Sequence, residues 1–461
     1  MKKAFFEHII IGAGPTGLGA ASVLEKANAS WIILEKNSYV GGLAASFRHD
    51  GFQWDIGGHV IFSHYKQYDN LLDMVISEHD WVYHKRSAFV RVAERWVPYP
   101  FQYNLDFLPP DMQIECVESL LRLRRIKVQK KRSDFLTFIE SNFGEAIARL
   151  FMVPYNEKIW AYPLNKMDTK WLGDRVALLD VNRALNGSIE NQENRDWGPN
   201  NTFRFPMKGG TGEIWNRLAL TLPEEKINLN NEVTGFSTSE HTLTLKDGRK
   251  IKYGTLINTM PLDQLITMSD MDELIPFTRS LHHTSTHVVG LGIKSDIPDH
   301  LGKFSWIYFP DKTIPFYRAT VFSNYSPRNA KEGHWSLLLE VSESPYRKID
   351  QDGLVDDCIR GCLVGGLIQK EEEVNHTWHH RVEYGYPVPG LERDSALEHI
   401  LAVLEEKGIL SRGRFGAWKY EVGNMDHSYM QGVEAARRIL TGMDETTLLY
   451  PEKVNGSYSN R

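Results

Sequence analysis

Cysteine is scarce in this chain of 461 residues: Cys116, Cys358 and Cys362 are all there is, too few and too unevenly placed for a disulfide framework. A reducing cytoplasm is the compartment this predicts. Cys358 and Cys362 stand one helical turn apart, but no histidine or cysteine lies at ligand spacing from them. The pairs His282-His283 and His379-His380 lack a ligand pattern too, so no metal site is expected. No apolar run approaches the ~20 residues of a membrane span, and Met1-Lys2-Lys3 leads straight into a strand rather than an apolar leader. A protein that is soluble, unexported and not inserted in a membrane is the expectation. Positive charge is not in excess either. With 53 Lys and Arg against 59 Asp and Glu the net charge is -6, which gives no case for nucleic acid. The one basic run, residues 122–132, reads as a solvated helix face. There is no internal repeat, and no second strand-glycine-helix unit: Gly290-Leu291-Gly292 lies in an alternating apolar run with no helix after it.

Glycine, by contrast, is concentrated where a cofactor would need it. Ile9-Ile10-Ile11 runs into Gly12-Ala13-Gly14-Pro15-Thr16-Gly17, then a helix to about Ala27, a strand at Trp31–Leu34, and Glu35 at its end. A buried strand must turn sharply into a helix, the backbone must lie against a pyrophosphate, and the helix must pack closely on the sheet; glycine permits all three. The helix N-terminus offers unpaired N–H groups to phosphates, and the Glu35 carboxylate suits the hydroxyls of an unphosphorylated adenosine ribose. Val40-Gly41-Gly42-Leu43-Ala44 supplies a second flexible patch and Asp55-Ile56-Gly57-Gly58-His59-Val60 a third. These resemble flavoproteins of the amine-oxidase type. The resemblance implies FAD rather than a nicotinamide, with Gly41 and Gly42 near the phosphates and the third patch passing the isoalloxazine. Read alone, His59 is more simply a hydrogen-bonded core histidine.

Length predicts two or three domains. From residue 111 to about 151 the pattern is helical: Cys116, Leu120 and Leu123 keep helical spacing, and Phe135, Phe138, Ile139 and Phe143 continue it after the start signal Ser133-Asp134. Beyond the turn-rich Trp197-Gly198-Pro199-Asn200, the stretch Phe205-Pro206-Met207-Lys208-Gly209-Gly210-Thr211-Gly212 opens another helix. Residues 242–246 and 250–253 around Asp247-Gly248 read as a hairpin, and Leu256-Ile257-Asn258-Thr259 as a buried strand. The β-rich stretches 288–293, 306–309, 316–322 and 335–341 predict an antiparallel sheet. Arg414-Phe415-Gly416, then Tyr420-Glu421-Val422-Gly423-Asn424 and a helix from about Ser428 to Leu440, read as the strand and helix that close the cofactor domain.

Several motifs taken in order carry a closer resemblance: Gly57-Gly58-His59-Val60-Ile61-Phe62-Ser63-His64-Tyr65, Trp96-Val97-Pro98-Tyr99-Pro100-Phe101-Gln102, Trp171-Leu172-Gly173-Asp174-Arg175-Val176, Pro315-Phe316-Tyr317-Arg318-Ala319-Thr320 and Tyr420-Glu421-Val422-Gly423-Asn424. Together they resemble the eukaryotic-type UDP-galactopyranose mutases, from residue 9 to about 455. The resemblance implies an α/β fold class with a Rossmann-like FAD-binding domain (1–86, 203–264 and 412–461), an inserted helical uridine-binding domain (106–202) and an antiparallel β-sheet substrate domain (87–105 and 265–411). It implies that Arg175 and Arg318 clamp the substrate pyrophosphate from different domains, with Tyr386, Tyr420 and Asn424 adding hydrogen bonds. The uracil would stack near Phe151, Tyr155 and Asn156, with Tyr99 and Gln102 reading its edge and Trp160 nearby. His59 and Arg414 would flank flavin and sugar, while Trp306, Tyr308 and Asn200 line the sugar pocket and Phe62 joins them. Pro15, Thr16, Leu43, Val60, Val233, Gly423, Asn424, Met425 and Ser428 complete the implied FAD contacts. The implied reaction is a ring contraction with no net redox change, in which N5 of reduced FAD attacks the anomeric carbon, expels UDP and carries the sugar covalently until UDP returns.

The chain departs from that family pattern in places. Met425 stands where a glutamine is usual, and Ala88 where a serine helps hold NADPH, although Arg86 is in place; NAD(P)H as a transient reductant is thus less well supported than the mutase chemistry. A shorter loop after Tyr325 and a shorter tail leave a homo-oligomer open but do not carry over a tetramer. The rival readings are the same chemistry on UDP-arabinopyranose, UDP-N-acetylgalactosamine or a deoxyhexose nucleotide, an amine-oxidase or desaturase-type oxidoreductase, and a non-catalytic nucleotide-sugar sensor.

Overall fold

The computed structural model describes residues 5–125, 134–176, 179–184 and 200–456. Ser133, the basic run beyond Arg125 and the turn Trp197-Gly198-Pro199 lie outside the described residues. Arg122, where that run begins, is exposed and pairs with Glu118 one helical turn away at 3.5 Å.

The strand Phe5–Ile11 runs parallel between Lys250–Asn258 and Trp31–Leu34, and its apolar end is completely covered. The sheet continues through Thr242–Leu245 and Val233–Ser237 on one side and Ile227–Asn228 on the other. One face packs on the helices Pro15–Lys26, Gly212–Leu220 and Met425–Thr441 through Ile10, Ile33, Leu18, Trp215 and Val433. The opposite face buries Leu262, Leu265, Ile400 and Leu404. Gly12 turns the first strand into its helix at φ +98°, and a Cβ there would stand 2.3 Å from Thr259 Oγ1. At Gly432 a Cβ would sit 1.8 Å from the Thr16 carbonyl oxygen, so the first and last long helices cross backbone to backbone.

The strand that closes this sheet is Ile409–Ser411, parallel to Lys250–Asn258, and not Arg414-Phe415-Gly416. The reason is Gly413: at φ +87° it ends the extended chain, and the Ala417 N–H returns to its carbonyl at 2.9 Å. The following helix starts at Met425, ahead of the expected Ser428, because Asn424 already occupies the N-cap and accepts from the Ser428 N–H at 2.8 Å.

A second sheet has the order Val374–Pro387, His283–Ile293, Trp335–Glu343, Arg318–Val321, Trp306–Tyr308, Ala88–Val92, Arg95–Pro98. It is antiparallel except where Trp306–Tyr308 runs parallel to Ala88–Val92, a pair joined by a long excursion rather than a hairpin. Sequence reading missed the edge strand Val374–Pro387. Its alternation is of histidine and tryptophan rather than aliphatic residues: Trp378 stacks on Trp54 and His380 at centroid distances of 6.0 and 5.6 Å.

The helical layer comprises Pro110–Arg125, Phe135–Phe143 and Val153–Trp160, around Cys116, Leu120, Phe135, Ile139 and Phe143. Asp134 caps the second of these, accepting from the Thr137 N–H at 3.0 Å. Ala148–Met152 is a widened π turn just before Pro154, which has no N–H for the Leu150 carbonyl. It leaves Phe151 and Tyr155 stacked at 5.1 Å.

Candidate active site

The glycine loop at the head of the first helix has an open N-terminus: Gly14 is the N-cap, no side chain caps it, and Pro15 follows. Gly41 and Gly42, both at positive φ, come back alongside Gly14. Glu35 is buried and accepts the Ala13 and Asn37 N–H groups, each at 2.8 Å. The acid therefore braces the loop, and a carboxylate still has lone pairs to spare for a further donor. Thr16 and Ser428 are buried on the crossing helices, Leu43 and Met425 are half-buried beside the sheet, and Val233 is buried at the start of its strand. The third patch follows strand Phe52–Asp55, whose Asp55 is pushed up to about 7 by burial despite bonds from Ser46 and Thr211.

From that patch the site closes around arginines. Arg318 and Glu340 face each other across neighbouring strands, and the guanidinium grips the carboxylate in a fork, Nε to Oε1 at 2.7 Å and Nη2 to Oε2 at 2.8 Å. Glu340 also accepts the Gly58 N–H at 3.0 Å and the Tyr317 hydroxyl at 2.7 Å. These donors hold its carboxyl below the usual range against the opposing cost of burial. His59 sits beside this pair, its Nδ1 buried without a partner. Burial, with Arg318 and Arg414 nearby, pushes its imidazole down to about 4 even though Glu340 pulls the other way. Neutral His59 is the form present at neutral pH.

Arg414 donates to the Gly385 and Gly423 carbonyls at 3.1 and 3.0 Å and lies over the rings of Tyr386 and Tyr420 at 4.9 and 5.6 Å. Arg175, on the short turn Gly173–Arg175, lies 5.5 Å over the Tyr420 ring and donates to the Glu421 carbonyl at 2.6 Å. Tyr317 links the two halves, since its oxygen, with its proton given to Glu340, lies 3.4 Å from Tyr386 Oη and can accept from it. His59, Arg175, Arg318, Arg414, Tyr386 and Tyr420 are thus brought into one connected cluster. Asn424 adjoins it at the head of the last long helix, next to Gly423.

Tyr308 forms the wall toward the helical layer, edge-on to Tyr99 at 5.3 Å and to Tyr155 at 4.9 Å. Asn200 accepts from Arg86 at 2.7 Å, and Arg86 lies over Tyr99. Trp306 is buried with its indole N–H unpartnered. Other predicted residues sit further back. Phe151 is packed on Phe101, the Asn156 amide donates to the Met152 carbonyl at 2.7 Å, Gln102 is buried, and Trp160 lies behind Tyr386 and Tyr420. Phe62 packs against His64 at 5.5 Å.

Sequence reading missed Glu340 and a buried triad. Asp426 Oδ2 accepts the His64 N–H at 3.0 Å and its ring Nδ1 at 2.7 Å, tying the His59-bearing loop to the last long helix. His427 stacks on His64 at 4.6 Å, and burial pushes its imidazole down to about 3. His64, Asp426 and His427 hold donor atoms within 4.8 Å of one another, a grouping where no metal pattern was expected. Only strand register could have revealed Glu340; residues 362 positions apart left no signal for the triad.

The residues present fit a dinucleotide-bearing flavin: an uncapped helix N-terminus against a glycine cradle, and buried polar atoms at His59, Trp306 and Thr320 that lack protein partners. The family model for flavin containing amine oxidoreductases matches residues 15–440. The crystal structure of a reduced UDP-galactopyranose mutase is similar at 44% identity and TM-score 0.95, over 98% of this chain and 97% of that one. A putative protoporphyrinogen oxidase from Exiguobacterium sp. 255-15, at 16% identity and TM-score 0.73 over 96% and 100% of the two chains, shares the fold. Among curated proteins, a 4,4'-diapophytoene desaturase (4,4'-diaponeurosporene-forming) of Staphylococcus haemolyticus (strain JCSC1435) is 42% identical over 52 residues, spanning 11% of this chain and only 10% of that relative's length.

Proposed function

This chain belongs to the flavin containing amine oxidoreductase family and, within it, to the UDP-galactopyranose mutases, and on that premise we propose how its residues conduct the flavin-dependent interconversion of UDP-galactopyranose and UDP-galactofuranose. Bound FAD, in its reduced form, supplies an electron-rich N5 nucleophile for the anomeric carbon. The protein's work is to hold, orient and dry the reactants. The loop from Gly12 to Gly17, with Gly41 and Gly42, holds the cofactor pyrophosphate, and Glu35 its ribose. Residues 57–60 and 423–425 border the ring system.

Arg175 and Arg318 grip the substrate pyrophosphate from opposite sides, with hydrogen bonds from Tyr386, Tyr420 and Asn424. The clamp answers a specific need: UDP must leave the sugar and yet remain bound until the ring has reclosed. Arg414 and neutral His59 border the sugar, and neutral His59 avoids adding a cation beside Arg318. Tyr99 and Tyr155 form the aromatic surface for the uracil, and Tyr308, Trp306 and Asn200 line the sugar side. The observation that carries this reading is the meeting of three guanidinium groups from separate parts of the fold around Tyr386 and Tyr420.

Reduction is a separate step. Ala88 offers no hydroxyl to NADPH and Arg86 is engaged by Asn200, so reduction by NADPH is expected to be slow beside reduction by dithionite. Among the described residues no helix is long and apolar enough to cross a membrane. The test is chromatography of products from the reduced holoenzyme with UDP-galactofuranose, UDP-arabinopyranose and UDP-N-acetylgalactosamine in parallel. Conversion of UDP-galactofuranose to the pyranose is expected to be fastest. A faster second substrate would reassign the sugar, and no conversion of any would overturn the reading.

A further inference from the structure

Arg175 makes no ion pair among the described residues, yet a ring of paired charges runs through its neighbours. Its Nη2 donates to the main-chain carbonyl of Glu421 at 2.6 Å, and the Asn455 amide donates to the same oxygen at 3.1 Å. The Glu421 carboxylate is held by Arg393 through two bonds, 2.9 and 2.8 Å. Arg393 is fully buried, and its Nε and Nη2 also reach Asp394 Oδ1 at 2.9 and 2.7 Å. Asp394 in turn accepts from Lys170 at 2.8 Å, and Lys170 stands just before the turn that carries Arg175. The ring therefore returns to the segment where it began, and several of its members line one cavity of about 360 Å³.

Resting on the reading that Arg175 grips the substrate pyrophosphate, we propose that Arg393 and Glu421 are a positioning pair, which fixes the Glu421 carbonyl and through it aims the Arg175 guanidinium. A buried ion pair is a weak device for stability, because desolvation offsets the attraction; it is a good one for fixing a place. The carbonyl occupies part of the Arg175 fork and leaves other N–H groups for phosphate oxygens. Tyr420 is less dependent on this pair, since the turn Tyr420–Val422 is also held by Gln431, which donates to the Val422 carbonyl at 2.7 Å.

The test is a double-mutant cycle read by UDP titration of the flavin-loaded protein, with Glu421→Gln, Arg175→Ala and both together. Glu421→Gln alone is expected to weaken UDP binding about five- to tenfold with kcat nearly kept. The double variant should bind within about twofold of Arg175→Ala alone, because an absent guanidinium cannot be misaimed. Arg393→Lys, which keeps the charge but not the two-pronged grip on the carboxylate, should lose less than Glu421→Gln. If Glu421→Gln does not fold, Arg393→Lys takes its place in the cycle with a smaller loss, about two- to fivefold, and the same lack of additivity. Effects that multiply fully in a protein that turns over UDP-galactofuranose overturn the positioning role alone. A wild-type protein that neither binds UDP nor turns over removes both this role and the function beneath it.

Discussion

The two proposed jaws of the pyrophosphate clamp are built differently. Arg318 lies on a central strand of the second sheet, forked onto a buried carboxylate that itself receives a backbone N–H and a tyrosine hydroxyl. Arg175 lies on a short turn of the helical layer, half-buried, held by a carbonyl and by Asn455 at 3.5 Å. Both guanidiniums are half-buried; the difference teaches that one jaw is tied to a buried counter-charge and the other only to neutral oxygens. Removing the first should damage fold and function together; removing the second should damage grip alone.

That contrast orders the expected outcomes. Arg318→Ala leaves Glu340 buried without its counter-charge, so unfolding free energy should fall by roughly 3–5 kcal/mol along with activity. A urea titration checks it, and an unchanged midpoint would erase the contrast. Arg175→Ala should cost about 1.5–3 kcal/mol of UDP binding, roughly ten- to a hundredfold, and leave the urea midpoint where it was.

A smaller effect follows from His59. Its folded pKa, about 4, lies below the ordinary 6.5, so the unfolded chain binds its proton more readily. The stability that neutral His59 confers is fully present above pH 6.5, and is lost as pH falls from there toward 4. At about pH 5.5 the loss is on the order of 1 kcal/mol, and His59→Gln should flatten that part of a stability-versus-pH curve. Smallest of all, Asp134→Ala removes a helix cap in the same layer as Arg175 and should cost about 0.5–1 kcal/mol of stability with UDP affinity unchanged. It separates a loss of stability in the helical layer from a loss of grip.

What was legible in the sequence was local. The glycine turn, the first helix and the hairpin around Asp247-Gly248 each obey constraints set within a few residues, and the strands rich in aliphatic residues declared themselves by alternation. What escaped depended on distant partners. Glu340 reads as one more strand residue until the register sets it opposite Arg318, and Asp426 acquires its meaning from His64. The edge strand Val374–Pro387 escaped because histidine and tryptophan take the places where aliphatic residues would have marked a buried face. The closing strand was misplaced by a few residues because Gly413 is one glycine among several, and only its φ shows that the chain turns there.

The most direct trial of the account is to follow UDP-galactofuranose consumption by one preparation of holoenzyme as its flavin is reduced, reoxidised and reduced again. The account predicts turnover that appears, vanishes and returns with the reduced state, and no net consumption of reductant per sugar converted. Turnover that persists in the oxidised protein, or that consumes one equivalent of reductant for each sugar, would contradict it.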